Sequence, residues 1–119
     1  MTFKLIISGD SDFTNYDLLK KNVFNLLNSK TKSTNIEIVS DVTEGAAMLG
    51  QRFSAEFGYE VAEFPKKNME SDHLLYLFNM LMAGYADSCI CFWNGEPGKT
   101  ERMIDLYDSL GLDLTVIVY

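Results

Sequence analysis

Short apolar runs alternate with longer amphipathic segments along the whole chain. The apolar runs are nearly continuous, as in strands covered on both faces, and predict strands at residues 3–8, 36–40, 60–64, 88–93 and 114–119. Between them, apolar side chains recur at helical spacing and predict helices at residues 16–30, 45–58, 73–86 and 99–111. This alternation predicts right-handed βαβ units and a parallel sheet with helices on both faces.

The fold expected from this pattern is α/β. It is a single Rossmann-like domain over residues 1–119, with a five-stranded, mostly parallel sheet in the order 3-2-1-4-5. A polar stretch at residues 66–72 precedes the third helix, where Ser71 and Asp72 resemble a helix cap beside His73, the one histidine. Thr14 or Asn15 is expected to cap the first helix. The chain has no internal repeat, low-complexity tract or linker.

Small ligands of such sheets bind outside the carboxyl ends of the strands, near the point where the strand order reverses. Three loops are expected at that edge, at residues 9–13, 41–45 and 94–100. Each loop leads into a helix N-terminus, where free N–H groups and the helix dipole favour an anion. The pattern therefore predicts a ligand site at this edge.

Charge and composition narrow the classes of partner. The 119 residues include 17 acidic and 10 basic side chains, a net charge of −7, which argues against nucleic acid and against anionic membranes. No apolar run approaches the roughly 18 residues of a membrane span, and no signal pattern is present at the N-terminus. Cys89 and Cys91 are expected to be small buried side chains in a reduced, cytoplasmic protein.

Four segments carry a family resemblance: SGDSDFTNYDLL, IVSDVTEGAAMLGQRFSAE, FNMLMAGYAD and ICFWNG. In order and spacing they resemble the YspA-like branch of the SLOG superfamily, which is related to the DNA-processing protein DprA and the LOG phosphoribohydrolases. The resemblance spans nearly the whole chain. It implies a Rossmann-like fold that binds nucleotides or nucleotide-derived ligands. We assign no cofactor to the chain.

The departures from the family motifs concentrate in the expected pocket. Ser11, Glu44 and Phe78 stand where the three motif arginines would supply anion donors, and Asp41-Val42 replaces a Gly-Gly pair. The motif residues that determine the fold are kept, whereas many of those that would line the pocket are replaced. The resemblance therefore implies either a less anionic ligand or a fold that serves another function.

The catalytic signature of the LOG enzymes is incomplete in this chain. Pro97-Gly98 lacks the second motif glycine, and Met103 stands where a catalytic glutamate is expected after Thr100. The sequence also argues against a true P-loop, because Trp93 takes the place of its first glycine. We therefore assign no catalytic residue and no metal site and expect binding without turnover.

The fold and the resemblance together predict a ligand-binding set. Several members have structural alternatives. One interpretation of three carboxylates, Asp10, Asp12 and Asp41, is that they bind Mg²⁺ or a ribose hydroxyl. The alternative is that they are solvated turn and cap carboxylates. Asn79 either faces the pocket or supports a loop, and Trp93 either stacks a base or is a half-buried aromatic. The predicted set is Gly9, Asp10, Ser11, Asp12, Ser40, Glu44, Gly45, Asn79, Trp93, Gly95, Gly98, Lys99 and Thr100.

The segment Gly98-Lys99-Thr100 offers a weaker anion site than a P-loop. Its backbone N–H groups and the Thr100 hydroxyl are suited to one phosphate or carboxylate. The alternative is that Pro97 lies near the first position of the helix and that Thr100 packs against the helix or caps it.

The third helix is apolar on almost every side over residues 74–82. One apolar stripe would be enough to pack the helix on the sheet, so the additional apolar residues predict a homo-oligomer or protein partner, unless the helix is wedged between its neighbours.

Two functions follow as hypotheses. The first is non-catalytic binding of a nucleotide-like small molecule. The second is a protein-interaction module with a degenerate pocket, in a phage or mobile-element setting.

Overall fold

A computed structural model describes residues 1–66 and 71–119 of the protein, and these residues form five strands and four helices. The strands are β1 (Thr2–Gly9), β2 (Asn35–Ser40), β3 (Glu60–Glu63), β4 (Ser88–Trp93) and β5 (Asp113–Val118). The helices are α1 (Tyr16–Lys30), α2 (Ala46–Phe57), α3 (Asp72–Tyr85) and α4 (Lys99–Ser109). The middle of the polar stretch expected at residues 66–72 lies outside the described residues.

The five strands form one parallel sheet in the order β3-β2-β1-β4-β5, which confirms the predicted Rossmann-like α/β fold. β1 lies in the centre and pairs with β2 on one edge and β4 on the other, with Gly9 opposite Phe92 in register. The strand order therefore reverses between β1 and β4. Their carboxyl ends diverge into the loops that precede α1 and α4.

The alternation of side chains along the strands divides the core into two layers. Leu5 and Ile7 of β1 pack with α1 and α2, whereas Ile6 packs on the opposite face with α3 and α4. Cys89 and Cys91 belong to this second layer. None of the helices within the described ranges is long and apolar enough to cross a membrane.

The helix starts differ in a way that matters for ligand binding. Asn15 caps α1 by accepting a hydrogen bond from the Leu18 N–H, and Ser71 caps α3 through the Leu74 N–H. α2 and α4 instead begin after Gly45 and Gly98, which have no side chain to act as a cap. Unless other groups reach them, the first N–H groups of α2 and α4 are therefore free.

α3 is the least buried helix relative to its apolar content. Of its 14 residues, three are buried, namely Phe78, Asn79 and Met82. Leu74, Tyr76, Leu77, Met80 and Leu81 are all exposed. The interpretation of α3 as a helix wedged between neighbours does not account for this exposure within the described part of the chain.

The buried thiols of Cys89 and Cys91 provide the first prediction. Desolvation raises the pKa of Cys89 well above its usual value and raises that of Cys91 to about 12. Because the thiolate is the reactive form, we expect the native protein to react with a disulfide reagent near pH 8 at least about a hundredfold more slowly than the unfolded chain. Spectroscopic thiol titration with and without urea measures this, and rapid native labelling of either cysteine would contradict it.

Candidate functional site

A cavity of about 470 Å³ opens at the carboxyl ends of the strands, between β1 and β4. The loops that follow β1 and β4 form two of its sides, and α3 and the start of α4 form the others. This is the edge at which the parallel sheet reverses its strand order, where ligands of such folds bind. The lining residues are Ser8, Gly9, Asp10, Ser11, Asp12, Asp41, Thr43, Lys66, Leu75, Asn79, Asn94, Glu96, Pro97, Gly98, Lys99, Thr100 and Met103.

The structure brings together eight of the residues predicted from the sequence. Gly9, Asp10, Ser11, Asp12, Asn79, Gly98, Lys99 and Thr100 line the cavity. Five others do not line it, namely Ser40, Glu44, Gly45, Trp93 and Gly95. The loops after β1 and β4 therefore contribute most of the predicted residues, and the loop after β2 contributes residues that were not in the predicted set.

Several of the residues outside the cavity have structural contacts. The Ser40 hydroxyl is buried and accepts hydrogen bonds from the Val42 N–H and the Gln51 side chain, both at 3.1 Å. The Trp93 indole N–H donates to the Glu96 carbonyl at 2.8 Å, which fixes the ring against its own loop. Glu44 is exposed beside the start of α2, where a carboxylate complements the helix dipole.

A largely buried ion pair lines the cavity. The Lys66 ammonium lies 2.9 Å from the Asp41 carboxylate, and the two side chains are 15% and 2% exposed. The other Asp41 oxygen accepts from the Thr43 N–H at 3.1 Å. Lys66 was not in the predicted set, although a signal existed: a carboxylate buried after β2 needs a cation, and the adjacent strand β3 ends just before Lys66.

Asp10 connects four parts of the site. Its N–H donates to the Phe92 carbonyl at 2.9 Å, and its carbonyl accepts from the Ala46 N–H at 3.2 Å. Its carboxylate accepts from the Asn94 N–H at 2.6 Å and from the Tyr119 hydroxyl at 3.0 Å. The loops after β1 and β4, the start of α2 and the residue that follows β5 are thereby held in one arrangement.

The starts of the two uncapped helices are not equivalent. The first N–H of α2, that of Ala46, donates to the Asp10 carbonyl, and Gly45 lies against the same loop. At α4, Gly98, Lys99 and Thr100 line the cavity, and a side chain added at Gly98 would meet nothing within 4 Å. The N-terminus of α4 is therefore open to the cavity, whereas that of α2 is closed by the protein itself.

Two polar side-chain atoms are buried on α3 and α4. Asn79 is 5% exposed, and its carboxamide oxygen has no hydrogen-bond partner among the described residues. The Tyr107 hydroxyl is also without a described partner, and burial raises its pKa strongly. Met103 covers the adjacent part of the floor, where its sulfur accepts a long contact of 3.5 Å from the Ser8 hydroxyl. An enclosed amide oxygen in a cavity wall favours a ligand that supplies a donor.

The cavity lining carries a small negative charge. Among residues 1–66 and 71–119, four carboxylates (Asp10, Asp12, Asp41 and Glu96) and two ammonium groups (Lys66 and Lys99) line it, a net charge of −2 for this part of the lining. Within residues 1–66 and 71–119, no three His, Cys, Asp or Glu side chains are grouped so that they could hold a metal ion. The lining favours polar ligands of low negative charge.

Comparisons of the chain with protein-family models, with curated proteins and with solved structures give no significant match. The functional argument therefore depends on the geometry of this site.

Gly45 tests how the loop after β1 is held against α2. A Cβ at Gly45 would lie 2.2 Å from the Asp10 carbonyl oxygen, whereas one at Gly58 would meet nothing within 4 Å, and both residues have positive φ, 82° and 75°. We expect Gly58→Ala to cost about 1 kcal/mol from backbone strain and Gly45→Ala about 3 kcal/mol or more from strain plus collision. Urea unfolding measures both, and equal losses would contradict the close approach.

The Tyr119 hydroxyl donates hydrogen bonds to Asp10 and Asp12, and its contribution to stability can be tested. Its pKa is raised above the ordinary 10.0 by desolvation and by hydrogen bonds to Asp12 and Asp10. The protonated hydroxyl therefore stabilises the fold at all pH values below 10, and this stabilisation is lost as pH rises towards the folded-state pKa.

We expect Tyr119→Phe, which keeps the ring packed on Phe13, to lose about 1 kcal/mol near neutral pH. The difference from wild type should shrink as the pH rises above 10. Chemical unfolding of both proteins across that range measures it. A difference that stays constant with pH would show that the hydroxyl does not act through its proton.

Proposed function

We propose that the cavity binds a small nucleotide-like ligand that carries one phosphate group, without turning it over. The observation that supports this most strongly is that the open N-terminus of α4 and Asn79 line the same cavity, and that the buried Asn79 carboxamide oxygen has no hydrogen-bond partner among residues 1–66 and 71–119. One element favours an anion and the other favours a neutral hydrogen-bond donor. A ligand with both groups matches the pair.

The phosphate would bind at the start of α4. The N–H groups that follow Gly98 have no intrahelical partner, and the helix dipole adds positive potential there. The Lys99 ammonium and the Thr100 hydroxyl belong to the same part of the lining. This combination of backbone donors, a hydroxyl and one cation suits a single phosphate, as in other helix N-terminal anion sites.

The neutral part of the ligand would bind against α3. Leu75 and Met103 give this part of the cavity apolar surface beside the Asn79 carboxamide. A ribose hydroxyl or an amino group on a base would donate to the Asn79 oxygen, which is buried, so the side chain would turn towards the ligand on binding. Pairing this oxygen on binding removes an unsatisfied buried group, a change that is worth about 1–3 kcal/mol.

The charge of the lining argues for a single phosphate. Lys99 is the cation beside α4, and Asp12 and Glu96 belong to the same lining. A second or third phosphate would bring like charges together with these carboxylates. We therefore expect affinity to fall from mono- to di- and triphosphates. This is the reverse of the order expected where arginines or Mg²⁺ neutralise the phosphate groups of the ligand.

Two further features bear on the resemblance to the SLOG superfamily, one on the fold and one on catalysis. Val42 has a φ of 64°, a left-handed conformation that strains a β-branched residue and suits the glycine found there in the resembled family. Met103 is buried in the cavity floor at the position expected for a catalytic glutamate of the LOG enzymes. The first feature supports the family and the second supports binding without hydrolysis.

Ligand screening tests the proposal directly. The panel consists of adenosine, ribose 5-phosphate, AMP, ADP, ATP, ADP-ribose, NAD and cyclic nucleotides, read by thermal shift and calorimetry. Native mass spectrometry of the purified protein detects any ligand carried through purification. The proposal expects AMP-sized monophosphates to stabilise the protein most. Failure of every compound to shift the unfolding temperature, together with no carried ligand, would refute it.

Two charge-matched variants test the position of the phosphate. Lys99→Gln removes the cation at α4, and Lys32→Gln removes an exposed cation before β2, at the opposite edge of the sheet. We expect Lys99→Gln to raise the Kd of a responding monophosphate about tenfold and Lys32→Gln to leave it unchanged. Equal weakening by both variants in calorimetry would indicate attraction by net charge instead of a site.

Asn79→Leu tests the other end of the ligand. Since the Asn79 oxygen has no partner in the described part of the chain, we expect this variant to keep or raise the unfolding temperature while weakening binding of nucleosides and nucleotides. Binding of inorganic phosphate at α4 should persist. A variant that binds every compound as wild type does would place the neutral part of the ligand elsewhere.

A further inference from the structure

The outward side of α3 forms a continuous apolar surface, which we call the α3 face. Leu74, Leu77 and Leu81 lie at positions i, i+3 and i+7, and Tyr76, Met80 and Gly84 lie at i, i+4 and i+8. These two rows are neighbours on one side of a helix. The five large side chains of the face are between 38% and 68% exposed. Phe78, Asn79 and Met82, on the other side, are buried.

We propose that the α3 face binds a second copy of this chain, so that two α3 helices cross about a two-fold axis. The surface is the same on both copies, and an isologous contact requires that a patch complement itself. Apolar rows that interlock with identical rows satisfy this requirement. The inference is independent of the ligand proposed for the cavity.

Charge favours a second copy of this acidic chain as the occupant. The chain has a net charge of −7, so two copies repel wherever their carboxylates meet. From Leu74 through Tyr85 the sequence contains no charged residue. The α3 face therefore lets two copies approach without opposing like charges, and it offers no charge with which to select a basic or acidic partner.

The size and shape of the face suit a reversible dimer. Given their exposures, its large side chains present apolar surface on the order of 400 Å² per copy, so two copies would bury about 800 Å² of apolar surface, which lies in the range of weak and transient interfaces. A Cβ at Gly84 would meet nothing within 4 Å, so a partner helix can approach the backbone closely at this position. We therefore expect a dimer that dissociates on dilution.

Sedimentation equilibrium and light scattering across about 1 to 500 µM protein test the proposal. The expected result is a reversible monomer–dimer equilibrium that salt strengthens or leaves unchanged, because apolar burial drives it and charge opposes it. Leu81 is 68% exposed, so Leu81→Arg should fold normally while raising the dimer Kd at least about tenfold.

Met48→Arg is the matched control, because Met48 is an apolar helical residue, 43% exposed, on α2 across the sheet. It should leave the dimer unchanged, and circular dichroism and unfolding temperature should match wild type for both variants. A wild-type protein that stays monomeric throughout the range would overturn the proposal. A dimer that survives Leu81→Arg, or that Met48→Arg dissociates equally, would do so as well.

Discussion

The arrangement of the candidate site depends on the hydrogen bonds of one residue, Asp10. It follows the central strand at the point where the strand order reverses, and its backbone and carboxylate bond to Phe92, Ala46, Asn94 and Tyr119. Loops that follow parallel strands are not held by the hydrogen bonds between strands, so their backbone groups need other hydrogen-bond partners. Because one carboxylate serves the loops from both sides of the reversal, the width of the cavity mouth is fixed by bonds within the protein.

This role changes how the acidic residues at the edge are understood. Asp10, Asp12 and Asp41 had two interpretations from sequence, as ligand or metal donors and as turn carboxylates. All three accept hydrogen bonds from the protein itself, and Asp41 also pairs with Lys66. Groups with capacity left for a ligand include the α4 N-terminus, Lys99, Thr100 and Asn79. The chemistry of the cavity is therefore determined less by its carboxylates than by these donors and the Asn79 carboxamide.

The fold was predictable because it depends on patterns that tertiary structure reinforces. Continuous apolar runs and helical periodicity predicted all nine elements found in the described residues, with differences of one or two residues at their ends. The order of strands was expected as part of a Rossmann-like fold, and the handedness of βαβ connections predicted a parallel sheet with helices on both faces. Asn79 was identifiable from sequence because a buried amide inside an apolar helix is costly unless it forms hydrogen bonds.

The remainder of the site depends on register and on backbone contacts, which periodicity does not encode. Lys66 reaches Asp41 because β3 pairs with β2, and Gly45 lies against Asp10 because α2 starts beneath the first loop. Trp93 points away from the cavity because its indole bonds to the Glu96 carbonyl. A motif shows that a residue belongs to a loop, but only the packed loop shows which side of it faces the cavity.

The central position of β1 also has a consequence during synthesis. β2 covers one edge of β1 soon after both have left the ribosome, but the strand that covers the other edge, β4, begins at Ser88. The nascent chain therefore carries an open, strongly apolar strand edge until β4 has been synthesised, a state prone to wrong pairing. The hydrogen bonds of Asp10 to Asn94 and Tyr119 need residues that follow β4 and β5, so the cavity is completed only after all five strands have been synthesised.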